Sequence, residues 1–272
     1  MTSASAVPRD RVGALLRACH PAPAAAVTVL AGAMALAAGR GPLGGLLTTA
    51  AVGAGQLSIG WSNDLVDRAR DAAAGRRDKP LADGELTVTY TVRATRWAVA
   101  GCVLLSLACG VAAAAAHLVA VGAGWAYNLR LKWTVWSWLP YAVAFALLPA
   151  FVTLALPGSP WPSGRVLGAG ALLGVAAHFA NVLPDIAADR AAGIRGLPQR
   201  LGPRASALLA VGAAAGAALL LAPGWPVLAV TAPTTVAALL APRGRWPFLG
   251  VMAGAGIALA VLFGSGGGLL AG

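Results

Sequence analysis

Two stretches of this chain carry the residues that could do chemistry, and they repeat each other in register. The first runs from Asn63 to Gly84; the second runs from Asn181 to Gly202, 118 positions further on. In that alignment Asn63, Asp67, Asp71, Gly75, Arg77, Pro80 and Gly84 fall on Asn181, Asp185, Asp189, Gly193, Arg195, Pro198 and Gly202. Asp64 adds a further carboxylate to the first copy. A spacing of four puts each Asn-Asp-Asp set on one face of a helix. Five carboxylates gathered near a membrane repel one another unless cations intervene, and intramembrane acids mark function. Mg²⁺ meets the need, because it is held by one or two carboxylates while water and phosphate oxygens complete its octahedron. Asp64, Asp67, Asp71, Asp185 and Asp189 are therefore the candidate metal ligands, and Asp67, Asp71, Asp185 and Asp189 the candidate catalytic set. Asn63 and Asn181 can add a neutral oxygen or donate to phosphate. Arg77 and Arg195, at equivalent positions, can grip phosphate oxygens in pairs. The chemistry is that of a metal-held polyanion, with a diphosphate the fitting size.

The elements that position these motifs are apolar. The chain has 272 residues, 58% hydrophobic and 11% charged, with long charge-free runs such as Trp97 to Leu129 and Ala205 to Ala241. A membrane span needs about 20 apolar residues. The runs divide into nine predicted helices, at 20–39, 43–62, 88–111, 114–130, 133–155, 166–184, 203–221, 225–241 and 246–264. A β-barrel is excluded, since it would alternate apolar and polar residues. The predicted class is an all-α polytopic membrane bundle.

The formal charge of +11 reads as topology, not as nucleic-acid binding. With the N-terminus cytoplasmic, the cytoplasmic segments hold 18 of the 20 Lys and Arg; only Arg40 and Arg165 fall outside. That asymmetry follows the positive-inside rule; the chain is expected to be integral to the cell (inner) membrane, in contact with its lipid. Arg9, Arg11 and Arg17 before an alanine-rich stretch imitate a signal peptide, but the repeated downstream runs favour a first transmembrane helix. Cys19, Cys102 and Cys109 lack metal-ligand spacing and read as packing residues. The motifs follow helices 2 and 6 on one side, so the unit is four helices repeated in parallel, with a ninth added. Residues 1–272 read as a single domain.

These motifs resemble the UbiA superfamily of intramembrane prenyltransferases. Asn63, Asp64, Asp67 and Asp71 match that family's N-D-x-x-D-x-x-x-D; Asp185 and Asp189 match its second D-x-x-x-D, and G-I-R-G-L-P-Q-R-L-G from Gly193 is similar to its continuation. Y-N-L-R-L-K, with Tyr127, Asn128 and Lys132, resembles its tyrosine–lysine segment and adds three candidate substrate-binding residues. Gly196 departs from relatives that carry Thr or Ser before Leu-Pro. The resemblance implies nine helices around a lipid-accessible cavity, Mg²⁺ as cofactor, and an isoprenyl diphosphate donor. It also implies transfer of the prenyl group to an aromatic or lipid-soluble acceptor.

Metal ions would neutralise the departing diphosphate, and aromatic faces would stabilise the allylic cation. Trp61, Trp125, Tyr127 and Tyr141 are candidates for that task, while Trp133, Trp136 and Trp138 suit the interfacial belt. His178 either reaches the cavity or packs between helices; His117 reads as structural, and His20 carries no signal. An alternative activity is that of a membrane terpene cyclase, which ionises the same donor without an acceptor. A transporter ranks third, because transporters place charged sites at the bilayer midplane.

Overall fold

In the computed structural model, residues 10–221, 236, 246–264 and 268–270 are described. Among them the chain is helical and has no strand. The helices are α1 (Arg11–Ala18), α2 (Pro21–Ala37), α3 (Gly41–Ala73), α4 (Val88–Ala108), α5 (Val111–Leu129), α6 (Leu139–Thr153), α7 (Gly164–Val182), α8 (Ile186–Ala191), α9 (Leu197–Leu201), α10 (Pro203–Leu221) and α11 (Trp246–Gly264). Short 3₁₀ turns at Leu131–Trp133 and Leu183–Asp185 lie between α5 and α6 and between α7 and α8.

Eight of the nine predicted ranges overlap these helices. The predicted helix at 225–241 lies outside the described residues. Among the described residues four helices are long and apolar enough to cross a membrane: Gly41–Ala73, Gly164–Ala191, Pro203–Leu221 and Trp246–Gly264. The pair α1 and α2, bent by 74°, qualifies as a fifth if taken together. Around the bundle α2, α3, α4, α5, α6, α7, α10 and α11 each touch the next, and α11 touches α2, so the ring closes. The break between α4 and α5 falls at Gly110, where φ is 108°. That division, which neither charge nor proline marks, keeps the two motifs at one end of the bundle.

Two boundaries differ from expectation. The apolar pattern predicts that the second helix stops at residue 62, with the first motif beyond it. Instead α3 continues unbroken through the motif to Ala73. Its 33 residues make a rod about 50 Å long, against about 30 Å of hydrocarbon, so the polar last turns extend past the apolar layer without ceasing to be helix. The second motif is likewise helical: Pro184, with no N–H to donate, converts one turn to 3₁₀, and α8 then carries the chain through Asp189.

Residues 10–18 form an element that the apolar pattern did not foretell. Asp10 caps α1 by accepting from Gly13 N–H at 3.0 Å. Trp61 of α3 donates its indole N–H to the Leu15 carbonyl at 2.8 Å. Trp61 thus packs in a cluster with Ala14, Ala18, Cys19, Leu81, Leu86 and Ala98, which removes it from the aromatic candidates. All three cysteines are buried, as expected.

Candidate active site

Both polar motifs end in the same backbone device. Gly75 (φ 67°) follows α3 and Gly193 (φ 80°) follows α8, each left-handed, where a Cβ would be strained. The next residue closes the turn in both copies: Arg76 N–H donates to the Asp71 carbonyl at 3.0 Å, and Ile194 N–H to the Asp189 carbonyl at 2.9 Å. The second matched pair, Gly84 (φ 80°) and Gly202 (φ 91°), is left-handed too. The 118-residue repeat is thus a repeat of conformation, and it aims two sets of acids from equivalent frames.

Asp64, Asp67 and Asp71 are buried, although they are acids. Each has basic partners close by. Asp64 Oδ1 accepts from Lys79 Nζ at 2.8 Å and lies 3.4 Å from His20 Nε2. Its second oxygen, Oδ2, is buried with no hydrogen-bond partner. Asp67 is bound by Lys132 through one oxygen and by Arg70 at 2.8 Å through the other. Arg70 also lies 3.8 Å from Asp71. In the second motif Asp189 accepts from Gln199 Nε2 at 2.7 Å, while Asp185 is exposed.

The two motifs face each other. Arg70 and Asp67 both act electrostatically on Asp189, and Arg76 acts across the gap on Asp185. Arg76 is anchored by a two-toothed pair with Asp78, 2.8 Å for both bonds, which holds the Asp78 carboxyl down at about 2 and the guanidinium above its ordinary value. Tyr127 of α5 lies within charge range of Asp189 and Asp67 at once.

The segment between α5 and α6 ties the halves together. Lys132 is buried, with its ammonium on Asp67 and over the Trp133 ring at 4.6 Å. Burial pulls its pKa below the ordinary lysine value, opposed by the Asp67 charge. A Cβ on Gly196 would lie 2.7 Å from the Lys132 carbonyl and 3.1 Å from Ser137 Oγ. Gly196 is therefore the residue that lets the second-motif loop close onto the Lys132 segment, which gives its departure from Thr or Ser a steric cause. Ser137 Oγ accepts from Leu197 N–H at 3.0 Å and meets His178 Nε2 at 3.1 Å.

Among the remaining candidates, Asn181 donates to the Tyr141 hydroxyl at 3.3 Å, and Asn63 lies 3.4 Å from His20 Nε2. Asn128 is spent differently: both bonds from its amide nitrogen, to Ile59 O and Ser62 Oγ at 2.8 Å, fasten α5 to α3. It positions Tyr127 and offers no free donor to a ligand. Arg77 and Arg195 are exposed; among the described residues the cations paired with Asp64, Asp67 and Asp71 are Arg70, Lys79 and Lys132, with the His20 ring also beside Asp64.

Sequence reasoning missed His20, which joins the Asn63–Asp64–Lys79 group because the α1–α2 bend folds back on α3. Gly60 permits that, since a Cβ there would lie 2.5 Å from the Cys19 carbonyl. His20 itself has φ 56°, unusual for a residue with a side chain. Gln199 and Ser137 were missed as well. The only sequence signal was that Gln199 lies within the second repeated stretch.

No group of three or more His, Cys, Asp or Glu side chains among the described residues could by itself hold a metal ion. Mg²⁺ does not require one: one or two carboxylates suffice when phosphate and water fill the other positions. The donor set fits such a shared ion, with hard oxygens only, arranged on two facing helical ends and including the unpartnered Asp64 Oδ2.

Both the sequence and the fold have known counterparts. The UbiA prenyltransferase family matches residues 25–266. No curated protein matches. Among solved structures, a UbiA homolog from Archaeoglobus fulgidus bound to GPP and Mg²⁺ aligns at 20% identity and TM-score 0.66, over 93% of this chain and 98% of that one. A digeranylgeranylglyceryl phosphate synthase aligns at 14% identity and TM-score 0.62, over 93% and 96%. The apo form of a UbiA homolog from Aeropyrum pernix K1 aligns at 17% identity and TM-score 0.57, over 94% and 96%. At these identities the likeness is one of fold.

Proposed function

The chain belongs to the UbiA prenyltransferase family, and from that premise we propose that it transfers a prenyl group from an isoprenyl diphosphate to an aromatic acceptor, with Mg²⁺ as cofactor. The whole chain acts as one domain in the cell membrane, with the motif end cytoplasmic. The observation that carries this reading is the aromatic pair Tyr127–Tyr141, ring centroids 5.2 Å apart, tied to the second acid motif by the Asn181 bond to the Tyr141 hydroxyl at 3.3 Å. An aromatic face directly beside a diphosphate-binding layer is what an allylic cation needs.

Bound Mg²⁺ would supply charge neutralisation for the departing diphosphate. Asp64, Asp67, Asp71, Asp185 and Asp189 would hold it, with the Asp64 Oδ2 oxygen free to do so. Lys79, Lys132 and Arg70 already stand among those carboxylates, so cationic donors and acids share one layer and a diphosphate seated there meets both. The C1–O bond of the donor breaks and its electron pair leaves with the diphosphate. An electron pair of the acceptor forms the new bond to C1, and the displaced proton passes to the released diphosphate or to water at the cytoplasmic end. The rings of Tyr127 and Tyr141, an edge-to-face pair with centroids 5.2 Å apart, stabilise the positive carbon between these events. The surrounding apolar helices keep water from capturing it.

The test is to incubate purified protein with Mg²⁺ and prenyl diphosphates of several lengths, with and without hydroxylated aromatic acceptors. Diphosphate release coupled to a prenylated aromatic supports the proposal. A cyclised hydrocarbon formed without acceptor replaces it with the cyclase reading. An absence of diphosphate release overturns both.

A further inference from the structure

His178 of α7 is almost wholly enclosed, at 1% exposure, yet one of its ring nitrogens, Nδ1, is buried with no hydrogen-bond partner. A polar atom left unpaired in an apolar interior costs free energy, and native structures keep few of them. The other nitrogen is engaged: His178 Nε2 lies 3.1 Å from Ser137 Oγ, which also accepts from Leu197 N–H at 3.0 Å. A hydroxyl both donates and accepts, so Nδ1 of the neutral ring is either an N–H or a bare lone pair, and in each tautomer it has one hydrogen bond left to make. An imidazolium here would be a desolvated charge with no carboxylate against it, which is far more costly.

The surroundings are those of the proposed reaction centre. The His178 ring packs at 5.0 Å from Tyr141 and 5.7 Å from Tyr127, centroid to centroid. Tyr127 lies within range of Asp67 and Asp189, and Asn181 of the second motif bonds to the Tyr141 hydroxyl. His178 also stands seven residues before Asp185, about two helical turns deeper into the membrane. An unpaired ring nitrogen therefore lies close to two tyrosine rings beneath the diphosphate layer.

We propose that His178 Nδ1 hydrogen-bonds an oxygen substituent of the acceptor, a hydroxyl being able to pair with either tautomer, and that His178 is thereby the residue that positions the acceptor ring against Tyr127 and Tyr141. This rests on the transferase reading and sharpens it. The tail of a prenyl diphosphate is hydrocarbon and has no atom to pair with this nitrogen, so a cyclase would gain nothing from keeping it. Tyr127 and Tyr141, which pack against the ring, are only half-buried, and one of them has to move aside for an acceptor to reach Nδ1.

The test separates the two ring nitrogens. Asn in place of His keeps a hydrogen-bonding amide near the Nδ1 position and gives up the Ser137 contact; Gln keeps a group near the Nε2 position and gives up Nδ1. Both variants and the wild type are assayed with geranyl and geranylgeranyl diphosphate against hydroxybenzoates and naphthols, with KM measured separately for donor and acceptor. His178→Gln is expected to raise acceptor KM at least tenfold with donor KM unchanged, and His178→Asn to stay within a few-fold of wild type. The reverse pattern, or an unchanged acceptor KM in the Gln variant, overturns the inference and leaves the transferase reading standing. Should either variant lose its thermal transition, His178→Phe in the same assay decides the matter, with the same rise in acceptor KM expected and an unchanged one fatal. Wild type that releases diphosphate but prenylates none of these probes also overturns it. A cyclised hydrocarbon as sole product defeats both readings together.

Discussion

The ammonium of Lys132 is buried on the carboxylate of Asp67, joining the α5–α6 segment to the end of α3 across 65 residues of sequence. A lysine that merely marked the cytoplasmic side would be solvated. This one is held in the acidic layer, and removing it leaves the buried Asp67 carboxylate with Arg70 as its one remaining cation among the described residues. Lys132→Ala is expected to destabilise the protein by on the order of 3 kcal/mol and to lower turnover. Adding Asp67→Asn to that variant should restore much of the melting temperature in detergent but none of the activity. A single variant with wild-type stability and kcat would make Lys132 a topology signal only.

The acids of the two motifs should be needed separately. Asp67→Asn and Asp185→Asn are each expected to cut turnover by about 100-fold or more, the scale of losing one preorganised charge at the leaving group. Arg40→Ala, among the residues at the opposite end of α3, should leave turnover unchanged. Excess chelator should abolish wild-type activity and Mg²⁺ restore it. Full activity of either Asn variant, or of the chelated enzyme, would remove the metal-held diphosphate from the mechanism.

The repeat was legible because its members are backbone requirements as well as ligands: Gly75 and Gly193 need a left-handed φ wherever they occur. The extent of α3 was not legible, because polarity marks where the membrane ends, whereas a helix ends at a residue that cannot continue it. Between Trp61 and Ala73 no Gly or Pro intervenes, so the helix runs on through Asp64, Asp67 and Asp71. His20 and Ser137 were invisible for another reason. Each acts across a contact with distant residues, His20 on Asp64 and Ser137 on Leu197, and no local spacing records such a meeting. Asn128 is the opposite case: a polar residue beside an aromatic one in a motif is as well suited to fastening two helices as to holding a substrate, and its amide nitrogen fastens α5 to α3.

Gly196 offers a test of that long-range packing. Gly196→Ala places a methyl group 2.7 Å from the Lys132 carbonyl, so the loop must shift. Gln199 and Asp189 should shift with it. The expected result is a melting temperature lower by several degrees and a raised donor KM, with no such effect from Ala in place of Gly122, whose Cβ would meet nothing within 4 Å. Equal behaviour of the two variants would show that the loop does not depend on this close approach.

His20 lies 3.0 Å from Lys79 Nζ while Lys79 reaches Asp64, so it acts as a clamp on the lysine. His20→Ala should weaken donor binding by about tenfold, the value of one hydrogen bond to a charged group. Acceptor KM should not move. His20→Gln, which keeps a group near the Nε2 position, should recover most of the loss. A change confined to acceptor KM would place His20 in the other half of the site.

Orientation follows from the same arrangement. The loop between α3 and α4 carries Arg76, Arg77 and Lys79, whereas the segment between α6 and α7 carries Ser159 and no cation before Arg165. Lys and Arg near short connections are retained on the cytoplasmic side, so the acid layer should face the cytoplasm. With Cys19, Cys102 and Cys109 replaced, a cysteine introduced at exposed Asp83 should resist an impermeant thiol reagent in intact cells and react in inverted vesicles. A cysteine at Ser159 should do the opposite. Labelling of Asp83→Cys from outside would invert the protein, and labelling of both positions from one side would mean that α4, α5 and α6 do not together cross the membrane an odd number of times.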